Sequence, residues 1–145
     1  MHSSGASTKL ASESIRTKIT MLVDTNIVSA HFKGDPAVTS KPQAVQVIYL
    51  PSIVLGELIY GAHKSPNATR NLARIEQFRS ATVLLNVDSD TAAIYGRLKS
   101  DLSSAGKMIP ENDLWIAALA IQHNLPLTSR DQHFGHVSGL DWQTW

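Results

Sequence analysis

Four carboxylates stand out by where they fall in the chain. Asp24 directly follows the short apolar run ITMLV (19–23), and Asp131 comes shortly after another such run, Leu125–Thr128. Asp113 opens an apolar helical stretch, and Glu57 lies inside one, among Ile53, Val54, Leu55, Leu58, Ile59 and Tyr60. A carboxylate in such surroundings is partly desolvated. Left unpaired it costs on the order of several kcal/mol, so it needs a cation, a hydrogen-bond donor or a proton. Few Lys or Arg stand near these acids in sequence, which points to a metal ion. Three or four carboxylates with no Cys and no paired-His motif such as HExxH suit a hard cation held by oxygen, Mg²⁺ or Mn²⁺. Such ions neutralise charge on a phosphoryl group and lower the pKa of bound water. The residues thus point to a small metal-dependent phosphodiesterase that cleaves with metal-activated water.

Each acid also has a structural explanation. Asp24 can cap the following helix, Asp113 can be an N-cap or a first-turn acid favoured by the helix dipole, and Asp131 can be a turn former. Glu57 can point outward or pair with a cation such as Arg97. The histidines His31, His63, His123, His133 and His136 share no ligand spacing. His133 and His136 are three apart but lack a third partner, and they read as surface or loop residues. No GxxxxGK[ST] loop is present, and no GxGxxG follows the first strand, which disfavours an NTPase and a dinucleotide site.

The elements that must position these groups follow from length and pattern. The chain has 145 residues, 43% hydrophobic and 17% charged, with 13 Lys+Arg against 12 Asp+Glu. This is one globular domain with a real core. The absence of Cys excludes a disulfide scaffold, a thiolate zinc site and a cysteine nucleophile, and fits a cytoplasmic protein. No run approaches the ~20 apolar residues that cross a bilayer. Residues 1–20 are rich in Ser and Thr and carry no secretory apolar region. They read as a leader or an artificially added segment without fixed structure, and 21–145 as the domain. The net charge of +1 owes its sign to that segment, so it says nothing of partners.

Strands are expected at 19–23, 47–50, 82–87 and 125–128, with a short fifth within 137–142. Helices are expected at 25–32, 37–46, 53–63 with Ser52 as N-cap, 66–80, from Asp88, Ser89 or Asp90 to 104, and from Asn112 or Asp113 to 123. Short apolar strands alternating with helices indicate an α/β fold with a mainly parallel sheet covered on both faces. Ligands of such sheets bind beyond the carboxyl ends of the strands, where Asp24 and Asp131 fall.

The segments MLVDTNIVSA (21–30), PSIVLGELIYGA (51–62), IPENDLWIAALAI (109–121) and LPLTSRDQHFGHVSGLDWQTW (125–145), with their spacing, resemble a PIN domain. Within that superfamily they resemble the VapC-type toxins of toxin–antitoxin pairs. DTN, ELxxG and NDxxIAA are modest signals singly. In order, with the SRDQHF tail, they are specific, and the resemblance spans 21–145. It implies a PIN-like parallel sheet flanked by helices on both faces, and a homodimeric endoribonuclease neutralised by a small antitoxin whose tail fills the acidic groove. Asp24, Glu57 and Asp113 match the three core metal-binding acids. Asp131 matches a fourth that varies, so a full acidic set is present. Thr25 and Asn26 match the polar pair after the first acid, and Ser129 the hydroxyl-bearing position beside the fourth.

On this reading Asp24, Glu57 and Asp113 hold one Mg²⁺ or Mn²⁺, directly or through water. Asp131 helps to hold a second ion or orients the attacking water. Thr25, Asn26, Ser129 and Arg130 support the acids or the RNA, and Lys33, Lys64, Lys107 and Arg130 are candidates for holding phosphate at the rim. Glu57 is expected to face the strand ends beside Asp24 and Asp113. Leu55, Ile59, Leu72 and Phe78 are expected to exceed the needs of one small core and to form a two-fold interface. Competing readings are a PIN nuclease in RNA processing or on structured DNA outside any toxin pair, and a non-catalytic interaction module.

Overall fold

The computed structural model describes residues 19–40 and 46–145. Within them, five strands form one sheet: β1 (Ile19–Val23), β2 (Gln46–Pro51), β3 (Val83–Leu85), β4 (Leu127–Thr128) and β5 (Trp142–Gln143), in the spatial order β3-β2-β1-β4-β5, every pair parallel. Six helices flank the sheet: α1 (Thr25–Phe32), α2 (Pro36–Thr39), α3 (Ser52–His63), α4 (Ala68–Ser80), α5 (Ser89–Ala105) and α6 (Glu111–Gln122). A 3₁₀ turn spans Gln132–His136. The central strand shows why the sheet is doubly covered. Met21 and Leu22 are fully buried and Val23 nearly so, an unbroken apolar run where a one-faced sheet would alternate.

The chain steps outward from β1 to β2 and β3, then returns to lay β4 on the other side of β1. The strand order therefore reverses between β1 and β4, and the crevice at such a reversal is where open α/β sheets bind ligands. Leu22 pairs with Leu127 and Val23 with Thr128, so both strands end side by side. Asp24 and Ser129 leave the sheet at the same level, with Asp24 N donating to the Thr128 carbonyl at 3.1 Å.

The expected α/β architecture is present, with local differences. The helix expected over 37–46 is only Pro36–Thr39, started by Asp35, whose carboxylate accepts from Ala37 N at 2.9 Å. Gln46 already belongs to β2, and residues 41–45 lie outside the described residues, as do residues 1–18 of the expected leader. Ser52 is the first residue of α3, and Pro51 takes the cap position without a side-chain bond. The helix expected from 66 begins at Ala68, because Ser65 Oγ accepts from Asn67 N and Asn71 Nδ2 and so holds the preceding turn. α6 starts at Glu111 after Pro110, which puts Asp113 in its first turn and not at the cap. Leu55, Ile59, Leu72 and Phe78 are half-buried and pack against the core. Among the described residues, the large apolar side chains left exposed are Tyr60, Val83, Val87 and Met108. No helix among the described residues is long and apolar enough to cross a membrane.

α5 and α6 are fastened to each other at one corner. Of the three acids and hydroxyls expected to start α5, Asp88 is the cap. Its carboxylate accepts from Thr91 N, and Thr91 Oγ1 accepts in return from Asp88 N, both at 3.0 Å, which is the reciprocal capping box. The same hydroxyl donates to Gln122 Oε1 at the far end of α6, and Gln122 Nε2 returns to Asp88 at 2.9 Å. Gly106 ends α5 at φ 69°, a left-handed conformation that costs glycine little. Thr91 is fully buried, and its hydroxyl joins the exposed Asp88 to the half-buried Gln122. Thr91→Val is expected to destabilise the domain by about 0.5–1.5 kcal/mol, seen as a lower urea midpoint at unchanged m-value.

Candidate metal centre

Asp24, Glu57, Asp113 and Asp131 line one cavity of about 970 Å³ at the carboxyl end of the sheet. Each arrives on a different element. Asp24 is the N-cap of α1, held by that role with Oδ1 accepting from Thr25 N at 2.8 Å. Capping uses Oδ1, and Oδ2 accepts from Ser129 Oγ at 2.7 Å. Glu57 comes from α3, whose buried stripe is Val54, Leu58 and Ala62 at helical spacing. Glu57 sits at the edge of that stripe, half-buried, and so looks along the sheet toward the other acids instead of away from it. Asp113 stands in the first turn of α6, where the helix dipole favours a carboxylate. Asp131 follows β4 and starts the 3₁₀ turn.

The polar residues of the DTN segment divide the task of holding these acids. Thr25 Oγ1 donates to Glu57 Oε1, and Asn112 Nδ2 donates to Glu57 Oε2 at 3.2 Å. Glu57 neither points to solvent nor meets Arg97, which pairs instead with Asp101. Asn26 crosses from α1 to the β4 loop, with Nδ2 donating to Ser129 Oγ at 3.3 Å and Oδ1 accepting from Arg130 N at 3.1 Å.

Ser129 is the junction. It is fully buried, and its hydroxyl donates to Asp24 Oδ2 at 2.7 Å while accepting from Asp131 N at 3.0 Å and from Asn26. A hydroxyl has one proton and two lone pairs, so all three are used and the proton must point at Asp24.

His133 is the participant that spacing did not reveal. Its Nε2 lies 2.6 Å from Asp113 Oδ2, and Asp113, Asp131 and His133 each offer a ligand atom within 4.8 Å of the others. The residue is aimed by its neighbour: Phe134 is fully buried and pins the 3₁₀ turn to the core. The Asp-x-His pair at 131 and 133 was the available signal, but the turn that makes it converge on Asp113 leaves no periodic trace. Asn112 was likewise missed as a partner of Glu57.

The electrostatics follow from burial. Asp24 is 3% exposed and Asp113 9% exposed. Desolvation lifts the Asp24 carboxyl to about 6, against the lowering pull of Ser129 and Thr25, with Asp113 and Asp131 adding repulsion. Desolvation also raises Asp113, opposed by the His133 bond and joined by repulsion from Asp131 and Glu57. Among the described residues, no Lys or Arg forms an ion pair with any of the four acids.

Of the expected rim cations, Lys33 and Arg130 line the cavity, whereas Lys64 and Lys107 do not. Lys64 lies over the Tyr60 ring. Arg130 is largely engaged, with Nη2 on Asp35 and Nε on the Trp145 carbonyl, both at 2.9 Å.

With this geometry in hand, comparison with known proteins gives a consistent answer. The PIN domain family model matches residues 21–140. Ribonuclease VapC2 of Haemophilus influenzae is 38% identical over 127 residues, 86% of this chain and 96% of the relative. The tRNA(fMet)-specific endonuclease VapC of Shigella flexneri is 33% identical over the same shares of both chains. Among solved structures, VapBC-1 from nontypeable Haemophilus influenzae superposes with a TM-score of 0.77 at 28% identity, covering 88% of this chain and 98% of the other. VapBC-5 from Mycobacterium tuberculosis, a member of the VapBC family of toxin–antitoxin systems, gives 0.65 at 26% identity over 86% and 96%. The chain belongs to the PIN domain family, among its VapC ribonucleases.

Proposed function

We propose that this chain is a divalent-metal-dependent endoribonuclease and the toxin of a type II toxin–antitoxin pair. One observation carries the reading: two buried carboxylates, Asp24 and Asp113, open onto a shared cavity with two further acids and without a Lys or Arg ion partner among the described residues. Burial of this kind is unfavourable for the protein alone and suits a cation that arrives from solution. The donors are carboxylate oxygens with one imidazole beside them, a set that fits Mg²⁺ or Mn²⁺.

Asp24, Glu57 and Asp113 would hold the ion, directly or through water. When bound, such an ion offsets charge on the phosphodiester and lowers the pKa of water. The protein's own groups do the rest. Ser129 and Asn26 fix the orientation of Asp24, and Thr25 and Asn112 fix that of Glu57. Asp131, whose amide is tied to Ser129, orients the attacking water or helps to hold a second ion. His133 Nε2, beside Asp113, is placed to hold or pass a proton. RNA phosphates meet a cavity of net negative charge, so Lys33 on its rim supplies attraction. The likeness to solved VapBC structures supports a small antitoxin partner. A homodimer that acts on RNA in the cytoplasm completes the reading.

Cleavage of RNA by the purified protein is expected with Mg²⁺ or Mn²⁺ and not with EDTA. Asp24→Asn should abolish it, and Ser129→Ala should weaken metal affinity about 10- to 100-fold, read as a higher metal concentration for half-maximal cleavage. No metal-dependent cleavage by the wild type would leave a binding module as the better reading.

The raised Asp24 pKa has a sign that can be checked. The carboxyl titrates near 3.8 in the unfolded chain and near 6 in the folded one. The folded state therefore holds the extra proton between these values, and metal-free stability falls as pH rises from about 4 through 6. The loss is of order 3 kcal/mol, complete above that window. Asp24→Asn should flatten this decline in thermal unfolding at zero metal and stabilise the metal-free protein at neutral pH. Mg²⁺ or Mn²⁺ should restore stability to the wild type, by roughly 2.7 kcal/mol at a hundredfold excess over Kd.

A further inference from the structure

A second cavity, of about 430 Å³, continues from the acidic one between α1, α3 and α4. Both are walled by the same row of α1: Thr25, Ser29 and Lys33 line each of them. These residues are four apart and so lie one above another on a single helical face. Glu57 is likewise common to both, and Gly61, one turn further along α3, faces only the second.

The chemistry changes along this path. At the acidic end the wall is carboxylate. At the far end it is Lys33 and Arg74 above an apolar floor that includes Leu58 and Ile75. Arg74 lies over the Phe32 ring at 4.7 Å and donates to the Phe32 carbonyl at 2.7 Å. No carboxylate pairs with Arg74 or Lys33 among the described residues. Two cations that form no ion pair among the described residues share with Glu57 the wall of a cavity within the size range of small-ligand sites.

Gly61 lines this cavity. A Cβ there, as at Gly56 and Gly96, would meet no atom within 4 Å, so packing does not require glycine, and a large side chain at 61 takes up volume in the cavity. Glycine inside a helix is less stable than alanine.

We propose that this second cavity is a subsite for a nucleotide of single-stranded RNA adjoining the cleaved phosphodiester. It rests on the nuclease reading and names the part of the substrate held next to the acids. Lys33 and Arg74 receive a phosphate, Arg74 with the forked donors that match phosphate oxygens. The base lies on the apolar floor beside Gly61. Ser29 and Thr25 offer hydroxyls to the sugar, whose 2′-OH is both donor and acceptor. The unpaired cations favour RNA over an apolar protein segment as the occupant.

The test is Mg²⁺-dependent cleavage of a fluorescently labelled, random-sequence single-stranded RNA of about 20 nucleotides. Gly61→Ala and Gly61→Leu should raise apparent KM progressively, about tenfold for leucine, with kcat within about twofold. Thermal unfolding of both variants should be unchanged or higher, since Ala and Leu favour the helix. Lys33→Ala and Arg74→Ala should each raise KM about tenfold and flatten its salt dependence, by about 0.7 in the log–log slope for each phosphate that is no longer neutralised. Wild-type KM and salt slope in all four variants, with cleavage intact, would overturn the subsite, leave the nuclease reading standing and give the cavity to a protein segment. A fall in kcat alone, at unchanged KM, would also overturn it. If the wild type does not cleave, the nuclease reading falls and the subsite with it.

Discussion

Like charges do not gather in a protein interior unless something holds them there. Asp24 and Asp113 sit almost out of reach of solvent with Asp131 and Glu57 close by, and the rest of the domain is arranged around that repulsion. The reversal of strand order brings Asp24 and Ser129 off the sheet together. The first turn of α6 presents Asp113 to them, and the edge of the α3 stripe presents Glu57. Asp24, Glu57 and Asp113 are then held by hydrogen bonds at one or both oxygens, and Asp131 by its own backbone amide, which donates to Ser129 Oγ. These bonds orient the acids, and among the described residues no Lys or Arg pairs with them.

The supporting groups are short and double-ended. Thr25 ties Asp24 through its amide and Glu57 through its hydroxyl. Asn26 ties α1 to the loop after β4. Ser129 ties the first acid to the last. A displacement of any one carboxylate therefore strains the support of another. The centre behaves as a unit of coupled positions, not as four independent side chains.

Much of this was legible in the sequence because it rests on short-range rules. The apolar runs gave β1 and β2 within a residue of their bounds, since a central parallel strand must be apolar throughout. Asp88 and Gly106 marked the ends of α5 by cap chemistry. Glu57 stood out because a carboxylate in an apolar helix has few stable placements. α2 ends at Ser40, and the rest of the helix expected over 37–46 lies outside the described residues up to β2. What escaped was set by tertiary contact. His133 depends on a 3₁₀ turn fastened by Phe134, and Asn112 meets Glu57 across 55 residues of chain. Arg130 has the type and position of a phosphate ligand, yet Asp35 and the Trp145 carbonyl occupy it.

The strand β5 reaches the acids only through Ser129. β5 touches none of the four acids, but it grips Ser129 from both sides of the peptide: Ser129 N donates to the Gln143 carbonyl at 3.0 Å, and Trp142 Nε1 donates to the Ser129 carbonyl at 3.0 Å. Ser129 in turn directs its proton to Asp24, near the other end of the sequence. The carboxylate centre is therefore closed only when residues 142 and 143 dock, and an edge strand fixes the environment of an acid that lies 105 residues before the serine it grips.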